Sequence, residues 1–137
     1  QNVINWVNSI FPHYRPKMKG LNWGKLYHLY HNNSYNPKDL EKRTIELIQD
    51  DDVTNQSGIY EYLLSGNEKT LNIRAFSDNM KQSAYERQGG LCAICHQQFS
   101  IDEMEGDHID PWHSGGKTTA ENCQMLCKPC NRRKSGK

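Results

Sequence analysis

The chain has 137 residues, 35% of them hydrophobic, and a formal net charge of +1. That length suits one ordinary domain or two small ones, and so little apolar material favours several small cores, one of them stapled by metal, over a single large one. The near-neutral balance excludes no partner by itself, but the chain has no apolar run of the ~18 residues a membrane span needs.

Nothing at the start reads as a charged-then-apolar signal segment. With no initiator Met and an end just inside an expected helix, the sequence is expected to be a piece of a longer protein, with further domains of that chain among its partners. Five cysteines, four of them in two Cys-x-x-Cys pairs, fit metal binding in a reducing cytoplasm better than disulfides. A cytoplasmic location is therefore expected.

In chain order, Val3, Ile4, Val7, Ile10 and Phe11 recur at helical spacing and predict an amphipathic helix over 2–11. Pro12 and Pro16 break it. Asn22 is placed to cap a second helix with Trp23, Leu26, Tyr27 and Tyr30 on one face. Asn36-Pro37 reads as a cap and first-turn proline for a third, carrying Leu40, Thr44, Leu47 and Ile48. Asp50-Asp51-Asp52 reads as a solvated turn in preference to a cation site. Ser57 is expected to start a short helix through Leu63, stopped by Gly66. Leu71–Arg74 reads as extended. The six tyrosines of this region could stack on bases, but filling small helix interfaces is the favoured reading.

Ser77 then caps a helix whose apolar face is Phe76, Met80, Ala84 and Tyr85, ended by Gln88-Gly89-Gly90. The domain boundary falls near Arg74, giving a helical extension of unknown function over 1–74 and a second domain over 75–137. The second domain carries the chemistry. Cys92 and Cys95 form one pair and Cys127 and Cys130 the other; two-residue spacing lets both thiolates of a pair face one ion, and two pairs complete a tetrahedron, the arrangement of structural zinc. Four protein ligands leave no position open for reaction, so this Zn2+ is expected to hold the fold. Cys123 is the odd thiol and reads as a small packed apolar residue. The 31 residues between Cys95 and Cys127 exceed an ordinary zinc ribbon, so something is inserted. Glu105–Ile109 reads as a short strand, Pro111–Thr119 as a loop, Cys123–Leu126 as a second strand, and Pro129 and Asn131 open a helix.

The order strand, loop, strand, helix between two knuckles resembles the HNH endonuclease family, the ββα-metal fold in its four-cysteine form. The resemblance covers roughly 76–137. It rests on Cys92-x-x-Cys95, Asp107-His108-Ile109-x-Pro111, Gly115-Gly116-x-Thr118, Glu121-Asn122 and Cys127-x-x-Cys130-Asn131-x-x-Lys134. It implies Asp107 as a ligand of a catalytic divalent cation, Mg2+ or Mn2+, and His108 as the general base. It implies Asn122 as a brace for the loop and the base, and Asn131, where the family has His or Asn, as a second ligand of the same cation. On the residues alone, His108 with Asp107 as partner would be an ordinary buried histidine. The constellation selects the nuclease.

The expected fold class is α+β, a mostly helical N-terminal region followed by a small zinc-stapled ββα-metal domain. The expected activity is hydrolysis of DNA phosphodiester bonds by an HNH endonuclease; the alternative is a zinc-dependent nucleic-acid-binding module without catalysis. Arg132, Arg133 and Lys134 are expected to neutralise DNA phosphates, and His113 to reach a phosphate from the loop. Asp110 and Glu121 receive no assigned chemistry. One geometric difficulty is visible: adjacent strand residues point to opposite faces, so β-structure must end, bend or bulge at Asp107-His108, with Gly106 and Pro111 as the candidate causes. The wider layout resembles larger bacterial proteins that place a ParB-like domain before an HNH domain, which implies a role in restriction or anti-phage defence.

Overall fold

A computed structural model describes residues 2–135. The chain divides into two compact units, Gln1–Arg74 and Ala75–Lys137. Lys137, part of the basic tail, lies outside the described residues.

The first unit is helical: α1 Asn2–Ile10, α2 Trp23–Tyr30, α3 Pro37–Gln49 and α4 Gly58–Ser65, with 3-10 turns at Pro16–Met18 and Glu68–Leu71. Side-chain caps start two of these helices. Asn22 accepts from the Lys25 N–H, and Asn36 accepts from the Lys38 and Asp39 N–H groups, satisfying donors that the first turn leaves open. Ile10, Phe11, Leu26, Leu40, Leu47, Ile59, Tyr60 and Leu71 are buried. Phe11 meets Tyr60 edge-on at 5.3 Å, a favoured aromatic geometry. Arg15 grips Glu41 with two hydrogen bonds of 3.1 and 2.6 Å, and this contact holds the Glu41 carboxyl below its ordinary range against the opposing effect of burial.

Ser57 stands at the start of α4 and Gly66 at its end, as expected, although Ser57 makes no side-chain cap. Two local expectations are corrected in this unit. The segment after Leu71 is not a strand: Leu71 ends a 3-10 turn and Asn72 takes the left-handed conformation, φ 49°. The acidic run is not simply solvated. Asp52 is buried, with its carboxylate 3.5 Å from Arg74 Nε, because its carbonyl also accepts from the Arg74 N–H and folds the chain end back onto it.

The second unit contains α5 Asp78–Arg87, β1 Met104–His108, β2 Cys123–Cys127 and α6 Lys128–Lys134. This is the expected order of strand, loop, strand and helix, preceded by a helix capped by Ser77 through the Met80 N–H. The strands pair antiparallel without interruption, from Met104 opposite Cys127 to His108 opposite Cys123. Phe76, Ala84, Cys92, Met104, Cys123, Met125, Leu126, Cys127 and Cys130 form the buried core, with Met80, Tyr85, Phe99 and Ile101 against it. Gln88 stitches α5 to β2, since its Oε1 accepts from the Met125 N–H at 2.8 Å and its Nε2 donates to the Met125 carbonyl at 3.0 Å. Arg87 adds a bond to the Cys123 carbonyl at 2.6 Å. Together these anchor the strand whose far end delivers Cys127. Among the described residues no helix is long and apolar enough to cross a membrane.

Candidate active site

The two Cys-x-x-Cys pairs converge. The sulfurs of Cys92, Cys95, Cys127 and Cys130 all lie within 4.8 Å of one another, and Cys95 Sγ is 3.9 Å from Cys127 Sγ. Backbone N–H groups of Ile94 and Cys127 point at Cys92 Sγ at 3.4 Å, the pattern of a knuckle turned around a thiolate. Burial pushes the Cys92 thiol up, yet these backbone donors outweigh it and bring the thiol down to about 6. Burial, with hydrogen bonds from the other three sulfurs' groups, pushes Cys130 up to about 12. Four convergent sulfurs of this kind form a metal-binding cluster whose donor set suits structural zinc. Cys123 is buried but outside the cluster; burial raises its thiol, as befits a packed neutral side chain.

The strand resolves the Asp107-His108 difficulty by ending there. No bulge occurs, so Gly106 has a different use: a Cβ at Gly106 would sit 3.2 Å from Phe76 and 3.6 Å from Cys123 Sγ. Gly106 and His108 thus share the face of β1 that meets the Phe76 side. The His108 ring lies 4.5 Å from the Phe76 ring, and its Nε2 is 2.9 Å from Thr118 Oγ1. Glu105 and Asp107 occupy the opposite face, toward α6. There Lys134 Nζ donates to Asp107 Oδ2 and, at 3.1 Å, to the His108 carbonyl. Gln124 Nε2 donates to Asp107 Oδ2 at 2.9 Å. Asn131 Nδ2 donates to Glu105 Oε1 at 2.8 Å. The structure therefore gathers Asp107, Asn131 and Lys134 on the α6 side and sets His108 at the strand end beside them, turned to Thr118.

Asn122 ties the loop shut. Its Oδ1 accepts from the Asp110 N–H at 2.9 Å, while its Nδ2 donates to the carbonyls of Asp110 at 3.0 Å and Lys117 at 2.8 Å. The closure leaves no room at Gly116, where a Cβ would lie 1.8 Å from the Asp110 carbonyl oxygen and 2.8 Å from Asn122 Nδ2.

The basic residues do not act as one patch. Arg133 Nη2 donates to Cys130 Sγ at 3.0 Å and Lys134 is engaged with Asp107, which leaves Arg132 as the arginine directed at solvent without either duty. His113 is exposed in the single turn Trp112–Ser114. Glu105, Thr118 and Gln124 were assigned no role from the sequence. The period of two along β1 places Glu105 on the Asp107 face and could have found it; Thr118 stood in the Gly115-Gly116-x-Thr118 motif without a role, and nothing local marks Gln124, whose partner lies seventeen residues away.

A two-stranded antiparallel sheet followed by a short helix, with four clustered sulfurs and an acid-histidine pair at a strand end, makes a small ββα domain. Residues 92–137 match the family model described as HNH endonuclease, so this stretch of the C-terminal unit is similar to a family that is usually a nuclease. The match begins at the first knuckle and leaves α5 outside it. A comparison with curated proteins gives no significant match.

Two outcomes are expected from this geometry. The protein should hold one zinc per chain by elemental analysis, and Cys127→Ser should unfold residues 75–137, because a structural zinc contributes ~10–16 kcal/mol to such folds; retention of stoichiometric zinc and an unchanged amide spectrum would contradict the assignment. Gly116→Ala should destabilise the unit by about 1–3 kcal/mol in denaturant titration, through displacement of the Asp110 carbonyl from Asn122; an unchanged midpoint would show that the closure is not tight.

Proposed function

We propose that the C-terminal unit is a metal-dependent endonuclease that hydrolyses phosphodiester bonds in DNA. The observation that carries this reading is the close assembly at the end of β1: Asp107 with a positive group already seated on its carboxylate, and His108 next to it in the chain with one ring nitrogen fixed by Thr118. A pocket that holds an ammonium on Asp107 has the charge and the oxygen donors for a hard cation. Asp107 and Asn131 would hold that ion. Glu105 accepts from the amide nitrogen of Asn131, so the amide Oδ1 would be the ligand atom. When bound, a Mg2+ or Mn2+ ion neutralises charge on the scissile phosphate and the departing oxygen.

The remaining work falls to the chain's own residues. His108 takes the proton of a water as that oxygen attacks phosphorus; the bond to the leaving deoxyribose oxygen breaks, and that oxygen takes a proton from solvent. An imidazole is suited to this at neutral pH. Lys134 must leave Asp107 for an incoming cation, and its ammonium is then available to a phosphate oxygen. Arg132 and His113 are proposed to contact the DNA backbone, and Arg133 to do so only secondarily to its bond with Cys130. Such contacts confer affinity without sequence choice. On the wider resemblance of the chain's layout we extend the proposal to a setting in restriction or phage defence.

Supercoiled plasmid incubated with Mg2+ or Mn2+ tests the reading. Wild-type protein should nick it, and His108→Ala, with zinc content and folding intact, should lose about 10²–10⁴-fold in rate. Binding without nicking by the wild type would leave a nucleic-acid-binding module instead. Glu105→Ala should weaken Mn2+ binding, read by calorimetry or electron paramagnetic resonance, by about 10-fold or more, the usual effect of removing a group that orients a ligand. Unchanged Mn2+ affinity would remove Glu105 from the site.

A further inference from the structure

We infer that Thr118 is the positioning residue that sets the tautomer of His108, by accepting the proton on Nε2 so that Nδ1 is the basic nitrogen. The role in catalysis rests on the nuclease reading above; the position of the proton does not. Thr118 is completely buried, and its hydroxyl lies 2.9 Å from Nε2. A hydroxyl in such a place is costly unless bonded, and the imidazole edge is a bond it has.

Both partners are held from outside the pair. Asn122 clamps the carbonyl of Lys117, the residue before Thr118, and Gly116, one residue further back, lies against the Asp110 carbonyl with no space for a Cβ. Thr118 is therefore carried by the tightest part of the loop. On the other side the Phe76 ring, 4.5 Å away and tilted 45°, limits how the imidazole turns. Neither group can easily swing to exchange one nitrogen for the other.

Neutral imidazole offers one donor and one acceptor nitrogen, so the contact has two forms. Were Thr118 to donate to Nε2, the ring proton would sit on Nδ1 and neither nitrogen could receive a proton from water. With Nε2–H donating to Thr118 Oγ1, Nδ1 keeps its lone pair toward the strand end. The second form also has the proton on Nε2, the tautomer more common in free histidine. The effect on rate follows, since an imidazole in the wrong tautomer is no base.

The test uses the full zinc-loaded chain labelled with 15N-histidine, at alkaline pH where imidazoles are neutral. Long-range nitrogen–proton correlation reports which ring nitrogen carries the proton, with the His108 signal identified by its loss in His108→Ala. Wild type should show Nε2–H almost alone. Thr118→Val, which keeps the shape and removes the hydroxyl, should show a mixture of tautomers, and Thr118→Ser should restore the single form. Plasmid nicking should fall about 10-fold or more in kcat for Thr118→Val with KM little changed, and recover in Thr118→Ser. Nδ1–H in the wild type would overturn the inference without recourse to any variant, as would an unchanged single tautomer in folded Thr118→Val. A wild type that shows the expected tautomer but never nicks would support the placement of the proton and sink the nuclease reading.

Discussion

The C-terminal unit depends on four sulfur atoms meeting within 4.8 Å. Its core is small: nine buried side chains, of which Cys92, Cys127 and Cys130 belong to the metal-binding cluster itself. A two-stranded sheet and a seven-residue helix cannot be stable in water alone. The cluster joins the turn after α5 to the junction of β2 and α6, so the chain is closed across the insertion that holds Asp107, His108 and Asn122. Residues that take no part in the sulfur cluster are placed by residues that form it.

The closure reaches the acid-histidine pair through register. Cys127 pairs with Met104 and is four residues from His108's partner Cys123. A slip of one residue would exchange the two faces of β1, sending Asp107 toward Phe76 and His108 toward α6. Two features oppose the slip. Gly106 tolerates the close approach of Phe76 where a side chain would not, and Gln88 holds both backbone groups of Met125. Alternation therefore has a productive use here: the carboxylate is given to the side that gathers charge, and the imidazole to the side that can fix a ring.

Much of this was legible before any coordinates because local chemistry dictates it. Asn22, Asn36 and Ser77 are short polar side chains before apolar periodic runs, and each accepts from an N–H of the following turn. The paired cysteine spacing fixed the cluster for a similarly local reason. Ser57 also stands at the start of its helix, but with helical backbone and no side-chain cap. Asp52 failed as a solvated residue because its partner, Arg74, lies far along the chain. The basic tail is the most instructive case. Arg132, Arg133 and Lys134 are consecutive in sequence, but a helix turns successive residues about 100° apart. One reaches the Cys130 sulfur, one the Asp107 carboxylate, and one faces water. Charge runs are read correctly only after the partners of each charge are known.

The same helix geometry explains how the sulfur cluster is coupled to the end of β1. Cys130 is a member of the sulfur cluster, Asn131 follows it directly, and Lys134 lies one turn later on the Asn131 side. Once the cluster fixes Cys130, the positions of Asn131 against Glu105 and of Lys134 against Asp107 follow from the pitch of α6 alone. Arg133 reinforces this by donating to the Cys130 sulfur, which places positive charge beside a site that gains negative charge when four thiolates bind one divalent ion. The helix thus sets three contacts within about 6 Å of rise: Cys130 in the sulfur cluster, Asn131 on Glu105 and Lys134 on Asp107. An arrangement so short has little slack, and the side chains at the end of β1 can be no better ordered than the sulfur cluster from which α6 sets out.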